Sequence, residues 1–264
     1  MSDQNPIYLT LTDKKFYFIS DFHLGIPDYA SSLQREKRFV RLLDEAKNDA
    51  GAIYLMGDIF DFWFEYGTVI PKGFARLFGK LAEITDSGIP VHLFRGNHDI
   101  WAFNYLEKEL NVQLHRTSEV VMLGSKKFFL SHGDGLGPGD KGYKFIKWVF
   151  ERRINQWIFR WLHPDIGSRM ALYFSRKSRI ANVIKEGRTE KTGSYENERL
   201  IIFSRGMAEK DPSINFFIFG HRHIPIDVPV SANARCIILG DWVTNFTYAV
   251  FDGEELQLKY YPED

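Results

Sequence analysis

The stretch Tyr54-Leu55-Met56-Gly57-Asp58-Ile59-Phe60-Asp61 decides how this chain is read. The apolar run from Ala52 to Met56 has the continuous hydrophobicity of a buried strand. It stops at a glycine, and an aspartate follows at once. In an open α/β sheet, ligands collect just outside the carboxyl ends of the strands. Asp58 therefore stands where chemistry is expected, on backbone that Gly57 leaves uncrowded. Taken alone, Gly-Asp after a strand is more often a turn or a helix cap. Asp58 gains meaning only from what the remaining sequence sets beside it.

Outward from that strand the same grammar recurs. Lys15 to Ser20 (KFYFIS) is another apolar run, and it ends in Asp21-Phe22-His23-Leu24-Gly25. Asp21 and His23 can turn toward one point if the backbone leaves strand geometry there. Ser31 to Lys47 reads as an amphipathic helix, with Phe39, Leu42, Leu43 and Ala46 on one side. A helix over Gly73 to Ser87 is broken by Gly88-Ile89-Pro90. Val91 to Phe94 is the next strand, ending in Arg95-Gly96-Asn97-His98-Asp99. Strand–helix–strand order predicts right-handed crossovers and parallel pairing. After a short helix near Ile100 to Leu110, Glu119 to Leu123 and Lys127 to Ser131 form a predicted hairpin about Gly124-Ser125. The second of these runs ends in His132-Gly133-Asp134. Asn215 to Phe219 is a strand ending in Gly220-His221-Arg222-His223. Arg235 to Leu239, Asn245 to Phe251 and Leu256 to Tyr261 read as antiparallel strands that complete a second sheet.

With 264 residues, 44% of them hydrophobic and 16% aromatic, a sizeable core is available. A formal net charge of zero argues against a general polyanion binder. Cys236 is the only cysteine, which excludes an internal disulfide, fits a reducing compartment, and reads as a small core residue. The N-terminal stretch lacks a basic region followed by an apolar one, so it does not read as a secretory signal. No apolar run approaches the roughly 20 residues of a spanning helix. A cytoplasmic protein is expected, able to lie peripherally on the inner face of the cell membrane. One segment stands apart. From Lys141 to Lys191 there are 13 Lys and Arg against 4 Asp and Glu, interleaved with Phe145, Trp148, Trp157, Trp161 and other large apolar residues. That apolar stripe is too wide for the core-facing side of a surface helix, and its basic interleaving fits acyl chains and anionic headgroups. A helical hairpin packed on the core with a solvated basic face is the alternative. The aliphatic and aromatic character of the segment does not fit a polar groove with stacking platforms, so no nucleic acid is expected.

Five strand or loop ends thus carry metal-type ligands, and five of the eight histidines fall in them. The imidazole and carboxylate mix suits Mn, Fe, Zn or Co better than Ca or Mg, and the absence of cysteine argues against a structural zinc knot. His92, His115 and His163 match no such motif and read as structural.

The blocks Asp21-Phe22-His23, Gly57-Asp58-Ile59-Phe60-Asp61, Gly96-Asn97-His98-Asp99, Ser131-His132-Gly133-Asp134 and Gly220-His221-Arg222-His223, in this order, resemble those of the calcineurin-like binuclear metallophosphoesterases. The resemblance implies an α/β fold of two facing mixed β-sheets flanked by helices (α/β/β/α). It implies one metal held by Asp21, His23, Asp58 and His223. A second would be held by Asp58, Asn97, His132 and His221, with Asp58 shared. Two divalent ions about 3.5–4 Å apart, most simply Mn²⁺, can clamp a phosphoryl group and activate a water for in-line attack on phosphorus. His98 is expected to protonate a leaving group or hold a phosphoryl oxygen, with Asp99 orienting it; Asp61 is expected behind the ligands.

GDIFDFW, SHGDGLGPGD, the helical segment before GHRH and Leu239-Gly240-Asp241-Trp242 look like the UDP-2,3-diacylglucosamine hydrolases of the lipid A pathway. That resemblance implies a metal-dependent pyrophosphohydrolase making UMP and 2,3-diacylglucosamine 1-phosphate. It implies one domain over 1–264, a helical lid over roughly 141–190 contacting the membrane surface, and substrate contact at Asp140. Arg222, between two ligand histidines, is a further candidate for phosphate. The chain departs from that family at His98, where those hydrolases carry arginine. Alternatives are a phosphodiesterase or phosphatase for a soluble nucleotide, and a non-catalytic scaffold binding a protein through the aromatic helices.

Overall fold

Apolar runs on alternate sides of short loops build two sheets that share one interior. A computed structural model describes residues 8–9, 14–189 and 195–262 of the chain, with side chains described outside 8–9 and 178–189. Positions 1–7 and 10–13, most of the N-terminal stretch that does not read as a secretory signal, lie outside these residues, as does residue 190 at the end of the expected helical segment.

The first sheet contains β2 (Lys15–Ile19), β3 (Ala50–Leu55), β4 (Val91–Phe94) and β5 (Gln113–His115), all parallel. Crossover helices α1 (Tyr29–Ala46), α2 (Ala75–Asp86) and α3 (Tyr105–Leu110) link them. β11 (Thr247–Phe251) and β12 (Leu256–Tyr260) extend the sheet on the β2 side, giving the order β12-β11-β2-β3-β4-β5. The second sheet runs β1-β6-β7-β8-β10-β9. Its members are β1 (Tyr8–Leu9), β6 (Glu119–Leu123), β7 (Lys126–Leu130), β8 (Phe216–Phe219), β9 (Pro225–Pro229) and β10 (Arg235–Leu239).

Here the sequence expectation needs correction. The last three strands do not complete the second sheet together. β10 pairs parallel with β8, while β11 pairs antiparallel with β2 and carries β12 with it. β9 carries proline at both ends, a pattern tolerated on an edge strand, and it lies at the edge.

The pleat divides the side chains. Phe16, Phe18, Ala52, Tyr54 and Phe94 of the first sheet meet Phe128, Leu130, Phe216, Ile218, Ile237 and Leu239 of the second, all buried. Alternate positions of the first sheet, such as Ile19, Ile53, Leu55 and Leu93, face Phe39, Leu42, Leu77 and Leu81 of α1 and α2. α7 (Arg199–Lys210) covers the far face of the second sheet with Leu200, Ile201 and Ala208, against Phe217, Ile238 and the fully buried Cys236. Between β7 and α7 stand α4 (Lys141–Glu151), α5 (Arg153–Arg160) and α6 (Pro164–Thr189). Neither α4 nor α5 contains a buried residue. No helix among the described residues is long and apolar enough to cross a membrane.

Candidate metal centre

Each motif read from sequence lies on the loop that follows a strand: Asp21 and His23 after β2, Asp58 after β3, Asn97 and His98 after β4, His132 after β7, His221 and His223 after β8. Asp21, His23, Asp58, His221 and His223 all have positive φ, between 45° and 68°. Non-glycine residues adopt that left-handed region at a cost of order 1–3 kcal/mol each, which surrounding structure must offset. The conformation is what lets neighbours two apart, such as Asp21 and His23, face one point.

The loops also pack backbone to backbone. A Cβ on Gly96 would lie 2.6 Å from the Asp58 nitrogen and overlap its carboxylate, and one on Gly57 would lie 2.6 Å from His132 Nδ1. From α1, the buried Arg35 donates through Nε to the Phe22 carbonyl at 2.9 Å and through Nη2 to the His23 carbonyl at 3.0 Å. It holds the first ligand loop from behind.

Three clusters result, one of them His23, Asp61 and His98, and the other two match the expected ligand sets. Asp21, His23, Asp58 and His223 bring one ligand atom each to a common point, as do Asp58, His132 and His221. His23 Nε2 lies 3.1 Å from His223 Nε2, and Asp21 Oδ1 lies 3.6 and 3.2 Å from the same two nitrogens. Asn97 Oδ1 joins the second cluster, 2.9 Å from His221 Nδ1 and 3.3 Å from His132 Nε2. Asp58 Oδ1 accepts from the His98 amide at 2.8 Å. Its Oδ2 lies 3.3 Å from His132 Nε2 and 3.9 Å from His23 Nε2, so one oxygen belongs to both clusters.

The donor set fits divalent ions. Asp21 Oδ1 is fully buried without a hydrogen-bond donor, beside ring nitrogens that also converge on one another. Such an arrangement of lone pairs is stabilised by a cation. The ring tautomers are set from behind: His132 Nδ1 donates to the Met56 carbonyl at 2.7 Å, leaving Nε2 for the cluster.

Electrostatics agree with ionised ligands. Burial opposes ionisation of Asp21, but His223 and His23 outweigh it and hold its pKa far below the carboxylate range. Burial likewise opposes ionisation of Asp58, and His132 and His98 outweigh it. Burial disfavours a charged His132, yet Asp58 and Asp21 lift it to about 10; burial and then His132 push His221 down to about 4. Asp99 is raised to about 7 by burial and by the Asp58 charge.

The other expected residues sit as follows. His98 Nδ1 donates to the Asp61 carbonyl at 2.8 Å, and its ring lies edge-on to His23 with centroids 4.8 Å apart. Asp99 does not orient His98. Its carboxylate accepts from the Gly96 amide at 2.6 Å and the Ile59 amide at 2.9 Å, tying two ligand loops together. Asp61 lies behind His23, Oδ1 3.5 Å from its Nδ1. Asp140 immediately precedes α4 and pairs with Arg199 Nη1 at 2.6 Å, and Arg222 Nε donates to Glu198 at 3.0 Å.

A model of the calcineurin-like phosphoesterase family matches residues 14–225. The chain belongs to that family. It is 38% identical over 253 residues to the UDP-2,3-diacylglucosamine hydrolase of Porphyromonas gingivalis, across 93% of this chain and 97% of that protein. It is 25% identical over 236 residues to the hydrolase of the same name from Histophilus somni, across 87% of this chain and 92% of that one. A solved phosphoesterase from E. coli is 15% identical, with a TM-score of 0.44 over 92% of this chain and 90% of that one.

As a calcineurin-like phosphoesterase the chain is a metal-dependent hydrolase. Some supporting residues of this phosphoesterase were given no role at the cage by the sequence reading. Asp241 lies 3.8 Å from His223 Nδ1, while Asn245 Nδ2 donates to the His223 carbonyl at 2.8 Å. Gly240-Asp241 after β10 repeats the Gly57-Asp58 pattern after β3, a signal that could have marked it. Arg35 left no such signal, because its partners are carbonyls.

Proposed function

We propose that this phosphoesterase hydrolyses the pyrophosphate of UDP-2,3-diacylglucosamine, releasing UMP and 2,3-diacylglucosamine 1-phosphate. The observation that carries this function is the apolar surface of α4–α6. These helices hold 11 of the 18 large hydrophobic side chains exposed among the described residues, including Phe145, Trp148 and Trp157, and Trp161 between α5 and α6 adds another. Unspent apolar surface of that extent marks a binding face, and the two similar UDP-2,3-diacylglucosamine hydrolases suggest a diacylated substrate for it.

The same helices are fastened next to the cage. Tyr143 Oη and Lys147 Nζ both reach Asp134 Oδ2 at 2.7 Å, two residues past His132. A cleft of about 570 Å³ lies between α5 and the loops at 64–65 and 103–104, with Phe64, Phe103 and Trp157 in its walls and Arg153 and Arg160 beside them. Aromatic walls with two guanidinium groups suit an anionic amphiphile. In this proposal 141–190 is a lid within one domain spanning 1–264, and its outer face meets the membrane surface.

Asp21, His23, Asp58 and His223 would hold one divalent ion and Asp58, Asn97, His132 and His221 the other, Mn²⁺ being our choice. When bound, such a pair polarises phosphoryl oxygens and lowers the pKa of water. The chain's own groups do the rest. With Nδ1 donating to the Asp61 carbonyl, His98 presents Nε2 as the group that steadies charge on the phosphoryl oxygens. A sugar phosphate is a weakly basic leaving group, so a strong acid is not required at that position. Asp140 and Arg222 would bind the substrate, each already steadied by a charged partner from the start of α7 or just before it.

The test is UMP release by purified protein in Mn²⁺, with the diacylated UDP-sugar, its deacylated analogue and a cyclic nucleotide offered side by side. Turnover that requires the acyl chains is expected. Equal turnover of the deacylated analogue would favour a soluble-nucleotide hydrolase instead.

A further inference from the structure

Ser175 lies on α6, outside every motif that marked the metal centre. Its Oγ donates to Asp61 Oδ2 at 2.8 Å. Asp61 is buried, and its other oxygen lies 3.5 Å from His23 Nδ1 and 3.7 Å from His98 Nδ1. A path therefore runs from a helix hydroxyl, by a hydrogen bond to a carboxylate, to the back of a ligand imidazole, the last step at 3.5 Å being a charge contact and not a hydrogen bond. A carboxylate charge there favours the tautomer with the proton on Nδ1 and raises the ring's basicity toward a cation.

The next residue points the same way. Arg176 Nη2 donates to the Pro27 carbonyl at 3.2 Å, on the segment that follows His23. Tyr173 and Phe174, immediately before Ser175, are 62% and 59% exposed. At this level α6 is held by polar attachments to the loops that carry the cage, and not by broad apolar packing.

We infer that Ser175 is a positioning residue that couples α6 to the metal centre. Ions in the cage order α6, and the seated helix tightens the cage. Linkage makes the two effects reciprocal and equal in free energy. The inference rests on the cage proposed above and is independent of the substrate's identity.

The experiment is hydrogen–deuterium exchange of the full chain with and without Mn²⁺, together with Mn²⁺ titration calorimetry. Wild type, Ser175→Ala and Ser175→Thr are compared. In wild type, Mn²⁺ should slow exchange across 168–177. Ser175→Ala should lose that protection and bind Mn²⁺ about tenfold more weakly, within the range seen for outer partners of ligands. Ser175→Thr, which keeps a hydroxyl, should recover both. A merely structural serine would lower the Tm and leave both readouts unmoved, overturning the inference. So would Mn²⁺ binding to wild type without protection of α6. Failure of wild type to bind Mn²⁺ at all would overturn the cage itself, and the coupling with it.

Discussion

Asp21, His23 and Asp58 are at most 1% exposed and sit on left-handed backbone at the ends of parallel strands. On α4 and α5, by contrast, not one residue is buried, and tryptophans lie more than half exposed. The cage is polar and interior; the helices are apolar and exterior. Each inverts the usual partition of residues between core and surface, and each needs a reason. Burying two ionised aspartates is tolerable because imidazoles, amides and a rigid two-sheet core surround them. Exposing aromatic side chains is tolerable if a ligand or surface covers them when the protein works. Rigid preorganisation on strand ends and adaptable coverage by helices are complementary demands, met in separate regions that touch at Asp134 and Asp61.

Substitutions can break this contrast. Asp58→Ala should have the largest effect, because one oxygen serves both clusters. The loss in metal content and turnover should exceed the roughly 10–100-fold caused by removing an outer partner. Elemental analysis that finds a full metal complement in an active variant would remove Asp58 from the cage. Gly96→Ala should come next. Its methyl group would meet the Asp58 backbone at 2.6 Å, so the loops must part. A destabilisation of about 2–4 kcal/mol is expected from denaturant unfolding, accompanied by weaker metal binding.

Acid should weaken the sheet beneath the cage. Burial, with a smaller contribution from His115, pushes His92 down to about 4 from an ordinary 6.5. A depressed histidine is stable in its neutral form. Its contribution is therefore complete above about pH 6.5 and is lost as pH falls toward 4, by up to about 1.4 kcal/mol per unit. Wild type should lose more stability between pH 7 and 5 than His92→Gln, compared at equal ionic strength. Equal losses would show that His92 does not control this window.

The helical region should respond in the opposite manner. Trp157→Ser, at a position 57% exposed, should leave stability within about 0.5 kcal/mol of wild type. It should raise KM for the diacylated substrate while kcat at saturation and metal content stay unchanged. The smallest effect belongs to Gly142→Ala in α4, where an added Cβ meets nothing within 4 Å. A gain of about 0.5–1 kcal/mol is expected from helix propensity, set against the loss at Gly96.

Much of the cage was legible because its ligands obey a local rule. Each follows an apolar strand within a few residues, and loops after parallel strands gather at one sheet end whatever the helices do. Asp241 obeys that rule too, yet it entered only as part of the Leu239-Gly240-Asp241-Trp242 resemblance and was given no role at the cage. Ser175 and Arg35 could not have been read in this way. One acts across 114 residues of chain and the other through carbonyls, and neither leaves a periodic trace. The second sheet's membership was misjudged for a related reason. Alternation identifies β11 and β12 as strands, yet an antiparallel strand can pair with any open edge.

By itself the sequence determined which side chains could bind cations and that they would follow strands, because ligand chemistry and hydrophobic period are local properties. Only the tertiary structure decided that Asp58 lends one oxygen to both clusters, that Asp99 ties loops instead of steering His98, and that α6 reaches Asp61 through Ser175. Those outcomes depend on contacts between residues far apart along the chain, whose distances are set by sheet packing and left-handed loops together.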